Sequence, residues 1–180
     1  MWGKINRKET LDKAPLKPSR FFRSEDMVFN LTLHPVLTKV SFITDTVYYY
    51  RMGGITSRST PDFLKTVKYQ YLMKEEYIQK YSYTIAIPYI KYELINCFYS
   101  HFQNLVMLDK LSCYEVENLM REEIQDAFYD KDIFDGIEMS GKALAMKSKD
   151  ISGMMWIVRN NVRKGRPRHL LKKAISIVLK

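Results

Sequence analysis

The sequence predicts an α+β protein, with two short strands in an irregular N-terminal stretch and a mainly helical remainder. Three observations lead there. Glycine is scarce and tyrosine abundant, seven against thirteen, and such a wealth of long side chains favours helices over a many-turned sandwich. Two β-rich runs, 40–43 and 46–50, flank Asp45 as a turn. From residue 60 onward, apolar residues recur at helical spacing. With 46% hydrophobic and 27% charged residues, the 180-residue chain has the make-up of a globular protein rather than a disordered one.

Taken in order, residues 11–20 hold Pro15, Pro18, Lys13 and Lys17, and read as an irregular connection. A helix is expected next, with Ser24 as its cap, Glu25 and Asp26 in the first turn, and Pro35 ending it. The two strands follow, and the glycine pair Gly53-Gly54 closes the region as a loop. Thr60-Pro61-Asp62 starts the next helix with a cap, a first-turn proline and an acid. Its apolar face is Phe63, Val67, Tyr71 and Ile78. Ile87, Ile90, Leu94, Phe98, Phe102 and Leu105 mark another helix. Ser112 with Glu115 forms a capping box before the stripe Val116, Met120, Ile124 and Phe128. Two further amphipathic helices are expected beyond residue 150, the first striped by Ile151, Met154, Met155, Val158 and Val162. Gly165 and Pro167 are expected to interrupt them before Leu170, Leu171, Ala174, Ile175 and Val178. The organisation that results is 1–59, 60–141 and a basic amphipathic tail at 142–180.

The net charge of +9 is concentrated in that tail. From residue 142 onward there are eleven lysines and arginines against Asp150 alone, and the rest of the chain is close to neutral. Only the tail can therefore seek anionic partners. Three readings stand for it: an amphipathic pair lying on an anionic membrane surface through 151–180, a nucleic-acid patch, or stripes packed on the body with solvated charges. The nucleic-acid reading trails, because no recognition module is identifiable. Cys97 and Cys113 offer neither a disulfide framework nor metal-ligand spacing, which fits reduced thiols in a cytoplasmic protein. No stretch is apolar for the ~20 residues a spanning helix needs, and no secretory leader opens the chain. The protein is expected in the cytoplasm, with its tail able to sit at the inner face of the membrane.

Three segments share a pattern with a known family. Trp2-Gly3-Lys4-Ile5-Asn6-Arg7, then Ser24-Glu25-Asp26, then the run from Val47 through Tyr50-Arg51-Met52-Gly53-Gly54-Ile55-Thr56 resemble the second half of bacterial family-2 glycosyltransferases. The resemblance covers residues 1 to about 60. It implies a fragment of an inverting enzyme of GT-A fold, moving a sugar from a nucleotide-sugar donor to a surface-polysaccharide or glycolipid acceptor. Asp26 would then be the general base that takes the acceptor proton, braced by Glu25. Arg51 would offset charge on the leaving diphosphate, and Gly53 and Gly54 would let its loop close over the donor. Trp2, Lys4, Tyr50 and Thr56 complete the implied substrate-binding set, with Trp2 serving equally well as a core residue.

The nucleotide pocket and metal-holding D-x-D of that family have no counterpart here. Asp130-Lys131-Asp132 has the letters, but it falls downstream of the acidic pair instead of upstream and reads as a solvated helix end. The resemblance thus implies that a divalent metal, Mg or Mn, belongs to the complete enzyme and that none is bound by this chain alone. A chain lacking the donor-binding half would be inactive by itself. The competing expectation is a non-enzymatic helical module that binds an anionic membrane surface.

Overall fold

The structure, a computed structural model, describes residues 6–15, 25–41, 62–108, 111–130 and 132–178, with side chains up to residue 165. It divides into two compact units, Met1–Thr84 and Ile85–Lys180. Among the described residues every regular element is helical. The expected α+β class, and with it the incomplete GT-A sheet, is therefore corrected to an all-helical architecture. Val40 and Ser41, the start of the first expected strand, are irregular and exposed, while 42–50 lie outside the described residues. A β-branched run becomes a strand only where a neighbouring strand pairs with it and a core takes one of its faces. Val40 is 60% exposed.

Unit 1 contains α1 (Lys8–Lys13), α2 (Glu25–Leu33) and α3 (Phe63–Tyr81). α1 occupies part of what reads as an irregular connection, and it buries nothing. α2 begins at the acidic pair, as its sequence predicts, and a 3-10 turn, His34–Val36, carries Pro35 past its end. Val28 and Leu33 are buried on α2, and Leu64, Val67, Tyr71 and Ile78 on α3, with which α2 packs.

The end of α3 is built by backbone geometry. Ser82 adopts the left-handed conformation (φ 57°), its N–H donates to the Gln79 carbonyl, and the Tyr83 N–H donates to the Ile78 carbonyl at 3.0 Å. These paired bonds satisfy carbonyls that a helix terminus otherwise leaves open. The turn brings Tyr83 back over the helix, where its ring lies 6.0 Å from Tyr77 and 6.2 Å from Tyr81. His34 joins them, with its Nδ1 2.7 Å from the Tyr77 hydroxyl. Burial, and then the neighbouring Tyr83 and Tyr81, push the Tyr77 phenol above its ordinary pKa.

Unit 2 contains α4 (Ile87–Met107), α5 (Cys113–Glu123), α6 (Gly141–Lys147) and α7 (Ile151–Val178). Pro88 stands in the first turn of α4, where a missing N–H costs nothing. α4 is the buried element: Leu94, Ile95, Phe98, Tyr99 and Phe102 are each at most 2% exposed. Phe98 meets Phe102 edge to face at 5.0 Å and Tyr129 at 5.5 Å between centroids. The Ser112–Glu115 capping box opens α5, with both reciprocal bonds present. The five apolar residues of the first tail stripe, Ile151 to Val162, are all buried, and α7 packs on α4, α5 and α6.

α7 runs unbroken through Gly165 and Pro167, which corrects the expected interruption. A Cβ on Gly165 would meet Met107 Sδ at 3.3 Å and Gln103 Nε2 at 3.7 Å. Its glycine thus serves close approach to the last turns of α4 rather than termination. Pro167 removes one main-chain bond, a penalty of about 3 kcal/mol that a helix anchored by such a buried stripe can absorb.

Between α5 and α6, the 3-10 turns Ala127–Asp130 and Asp132–Phe134 carry the chain across α4. Lys91, only 7% exposed, donates to the Asp132 carbonyl at 2.6 Å and the Asp135 carbonyl at 2.7 Å. A buried ammonium is tolerated there because it meets two main-chain carbonyls, at the start of the second 3-10 turn and just past its end. Replacing it takes a donor from both carbonyls, although Asp132 keeps its bond from the Asp135 N–H. Lys91→Met is expected to lower stability by about 2 kcal/mol, read as a shift of the urea midpoint, whereas an unchanged midpoint would show that these carbonyls find water instead.

Candidate functional site

Two candidate regions can be compared, one in each unit. In unit 1, Glu25 and Asp26 stand exposed in the first turn of α2. Carboxylates there complement the helix dipole whether or not they do chemistry. Trp2, Lys4, Tyr50, Arg51, Gly53, Gly54 and Thr56, the partners that the resemblance implies, lie outside the described residues. No group of three or more His, Cys, Asp or Glu side chains that could hold a metal occurs among the described residues. Asp130 and Asp132 are exposed on successive 3-10 turns, and Asp130 pairs with Lys149 at 2.7 Å.

Unit 2 presents a groove of about 800 Å³ between α4, α6 and the start of α7. Tyr92, Ile95 and Asn96 line it from α4, Lys142, Leu144 and Ala145 from α6, and Asp150, Gly153, Trp156 and Ile157 from the α7 side. α4 and α7 run in the same direction: residues 92–96 face 153–157 across the groove, and Gln103 and Met107 meet Gly165 further on.

Local sequence chemistry shapes each wall. Ser140 caps α6, its hydroxyl accepting from the Ala143 N–H. α6 then stops at Lys149, which adopts φ 52°. The Lys149 N–H donates to the Met146 carbonyl and the Asp150 N–H to the Ala145 carbonyl, the same paired ending that closes α3. Asp150 is also the cap of α7, one carboxylate oxygen accepting from the Gly153 N–H at 3.0 Å. One residue therefore finishes one helix and begins the next, and this forces a sharp corner. The corner holds α6 against α4, where Tyr92 donates to the Glu138 carbonyl at 3.0 Å and Tyr99 to the Lys142 carbonyl at 3.0 Å. Lys142 itself donates to Asn96 Oδ1 at 2.7 Å, with its ammonium 5.8 Å from the Tyr99 ring centroid.

Two large apolar side chains on this face stay in solvent: Trp156 at 67% and Leu144 at 57% exposure. Trp156 lies opposite the buried stripe of α7, and Arg159 and Arg163 follow it at i+3 and i+7, both exposed. Lys147 and Lys164 are exposed nearby in sequence, and Arg159 makes a long contact, 3.8 Å, with Glu117. A pair so open is worth little to stability. The arrangement joins apolar anchors to cations. The sequence points to the tail charges, but it carries no signal for Leu144, Asn96 or Asp150 as lining residues. Their convergence comes from the corner at Lys149–Asp150.

Comparison with known proteins returns no match among family models, curated proteins or solved structures. No helix among the described residues is long and apolar enough to cross a membrane.

Tyr99 links the groove to the core and offers a pH test. Burial first, and then the charge of Asp150, push its phenol well above the usual value of 10.0. The fold therefore favours the neutral phenol, and this contribution is complete below pH 10 and lost as the pH climbs beyond it. Tyr99→Phe is expected to cost about 1 kcal/mol at pH 8 by losing the bond to Lys142. The wild-type advantage should shrink in urea melts above pH 10. A constant advantage across that range would contradict the assignment.

Proposed function

We propose that this chain is a helical binding module that seats on an anionic membrane surface through the α6–α7 face of its second unit. The observation that carries the reading is the exposure of Trp156 and Leu144 along one groove, within a segment where eleven cations oppose one acid. Burying an indole and an isobutyl group at the headgroup boundary would stabilise docking by roughly 1.5–3 kcal/mol each. Each lysine or arginine near an anionic surface adds about 1 kcal/mol.

The first tail stripe is not the apolar contact. Its residues are in the core, and the side chains of the second stripe, Leu170 to Val178, lie outside those described; among the described side chains the contact falls to Trp156 and Leu144, with Arg159, Arg163, Lys147 and Lys164 supplying charge. A nucleic-acid partner would need the cations but would have no use for exposed Leu144. The glycosyl-transfer expectation rests on Glu25, Asp26 and segments outside the described residues, so the geometry of the α6–α7 face neither uses nor requires it.

Vesicle co-sedimentation tests the proposal. Wild type should pellet with phosphatidylcholine vesicles containing phosphatidylglycerol, but not with phosphatidylcholine alone, and added salt should release it. Trp156→Ala should weaken the partition by about tenfold without changing the melting temperature, since the ring is exposed. Equal binding by the variant, equal binding to neutral vesicles, or capture by RNA in preference to lipid would overturn it.

A further inference from the structure

The groove holds one charge of each sign, and their settings differ from those of ordinary surface charges. The Lys142 ammonium is held by the neutral Asn96 amide at 2.7 Å and lies near the Tyr99 ring. Its positive charge is thus positioned but not neutralised by those partners. Asp150 uses one carboxylate oxygen on the Gly153 N–H. Its other oxygen lies over Gly153, in the space a Cβ would occupy. Glycine at 153 therefore leaves that oxygen room on the groove side, with Trp156 one turn further along the same wall.

We infer that the groove recognises a phospholipid headgroup bearing a primary ammonium, with an anionic oxygen of the headgroup on Lys142 and the ammonium between Asp150 and the Trp156 ring. This rests on the membrane reading above and adds selectivity to it. Charge complementarity carries the argument. A purely anionic headgroup would satisfy Lys142 but face the Asp150 carboxylate, and a like-charge approach is unfavourable. A headgroup with a primary ammonium meets a partner at each charge: its N–H groups donate to the carboxylate, which the quaternary ammonium of phosphatidylcholine cannot do, and the indole face attracts the cation. A volume of about 800 Å³ accommodates such a headgroup with part of its glycerol.

The test compares vesicles of phosphatidylcholine containing phosphatidylserine with vesicles containing the same fraction of phosphatidylglycerol, so that net surface charge is matched while phosphatidylserine alone carries a primary ammonium, together with a carboxylate. Wild type should favour phosphatidylserine by about fivefold, a preference of roughly 1 kcal/mol. Asp150→Asn should erase the preference while retaining phosphatidylglycerol binding. Asparagine caps a helix as well as aspartate does, so an unchanged melting temperature confirms that the fold is intact. Lys142→Gln should erase the preference as well. Equal wild-type affinity for the two vesicles, or a preference that survives Asp150→Asn, overturns the headgroup inference alone. Binding to neither vesicle overturns it together with the membrane reading.

Discussion

Unit 2 depends on how α4 satisfies the backbone of the segment that crosses it. Residues 127–130 and 132–140 pass over the most buried helix of the unit in short 3-10 turns and loops. Such a path has only isolated main-chain bonds, among them Asp135 N–H to the Asp132 carbonyl and Ser140 N–H to the Glu138 carbonyl, and further donors reinforce it. α4 supplies these from side chains. Lys91 reaches the Asp132 and Asp135 carbonyls, Tyr92 the Glu138 carbonyl, and Tyr99 the Lys142 carbonyl. The same helix turns Leu94, Phe98 and Phe102 into the core. One element therefore provides both the apolar floor and the polar ties, and α6 is held where those ties end.

From that anchor the groove follows by geometry. α6 ends in a left-handed residue, Lys149, and Asp150 immediately caps α7. Lysine is a costly choice at such a φ, where glycine is free. Lys149 has a compensating contact, its ion pair with Asp130 at 2.7 Å. The tight corner leaves no linker between the two helices, so Leu144 and Trp156 emerge on one groove instead of being carried apart. Because the opposite face of α7 is filled by Met154, Met155 and Val158, Trp156 has no route into the core.

The sequence reveals the helices far better than the site. The stripes from Phe63 to Ile78, from Ile87 to Leu105 and from Ile151 to Val162 repeat at the helical period, and most of their members are buried. The Ser112–Glu115 box and the acidic start of α2 were legible for the same reason: they are local chemistry. Two readings misled. β-branched residues near Val40 read as strand by propensity, but propensity acts only where a partner strand is present. Gly165 and Pro167 read as punctuation, yet Gly165 answers to Met107, far away in sequence and adjacent in space. Lys91, Tyr99 and Asn96 carried no signal of their roles, because their partners lie more than forty residues away.

The most direct measurement is the depth of Trp156 at a vesicle surface. In a Trp2→Phe variant the only remaining indole is Trp156, so its fluorescence reports one position. On addition of vesicles containing phosphatidylglycerol, the account predicts a blue shift and quenching by lipids brominated near the headgroup end of the acyl chain, at the boundary where an interfacial tryptophan sits. An emission maximum that stays at its value in water, with no quenching at saturating lipid, would contradict docking through the α6–α7 face.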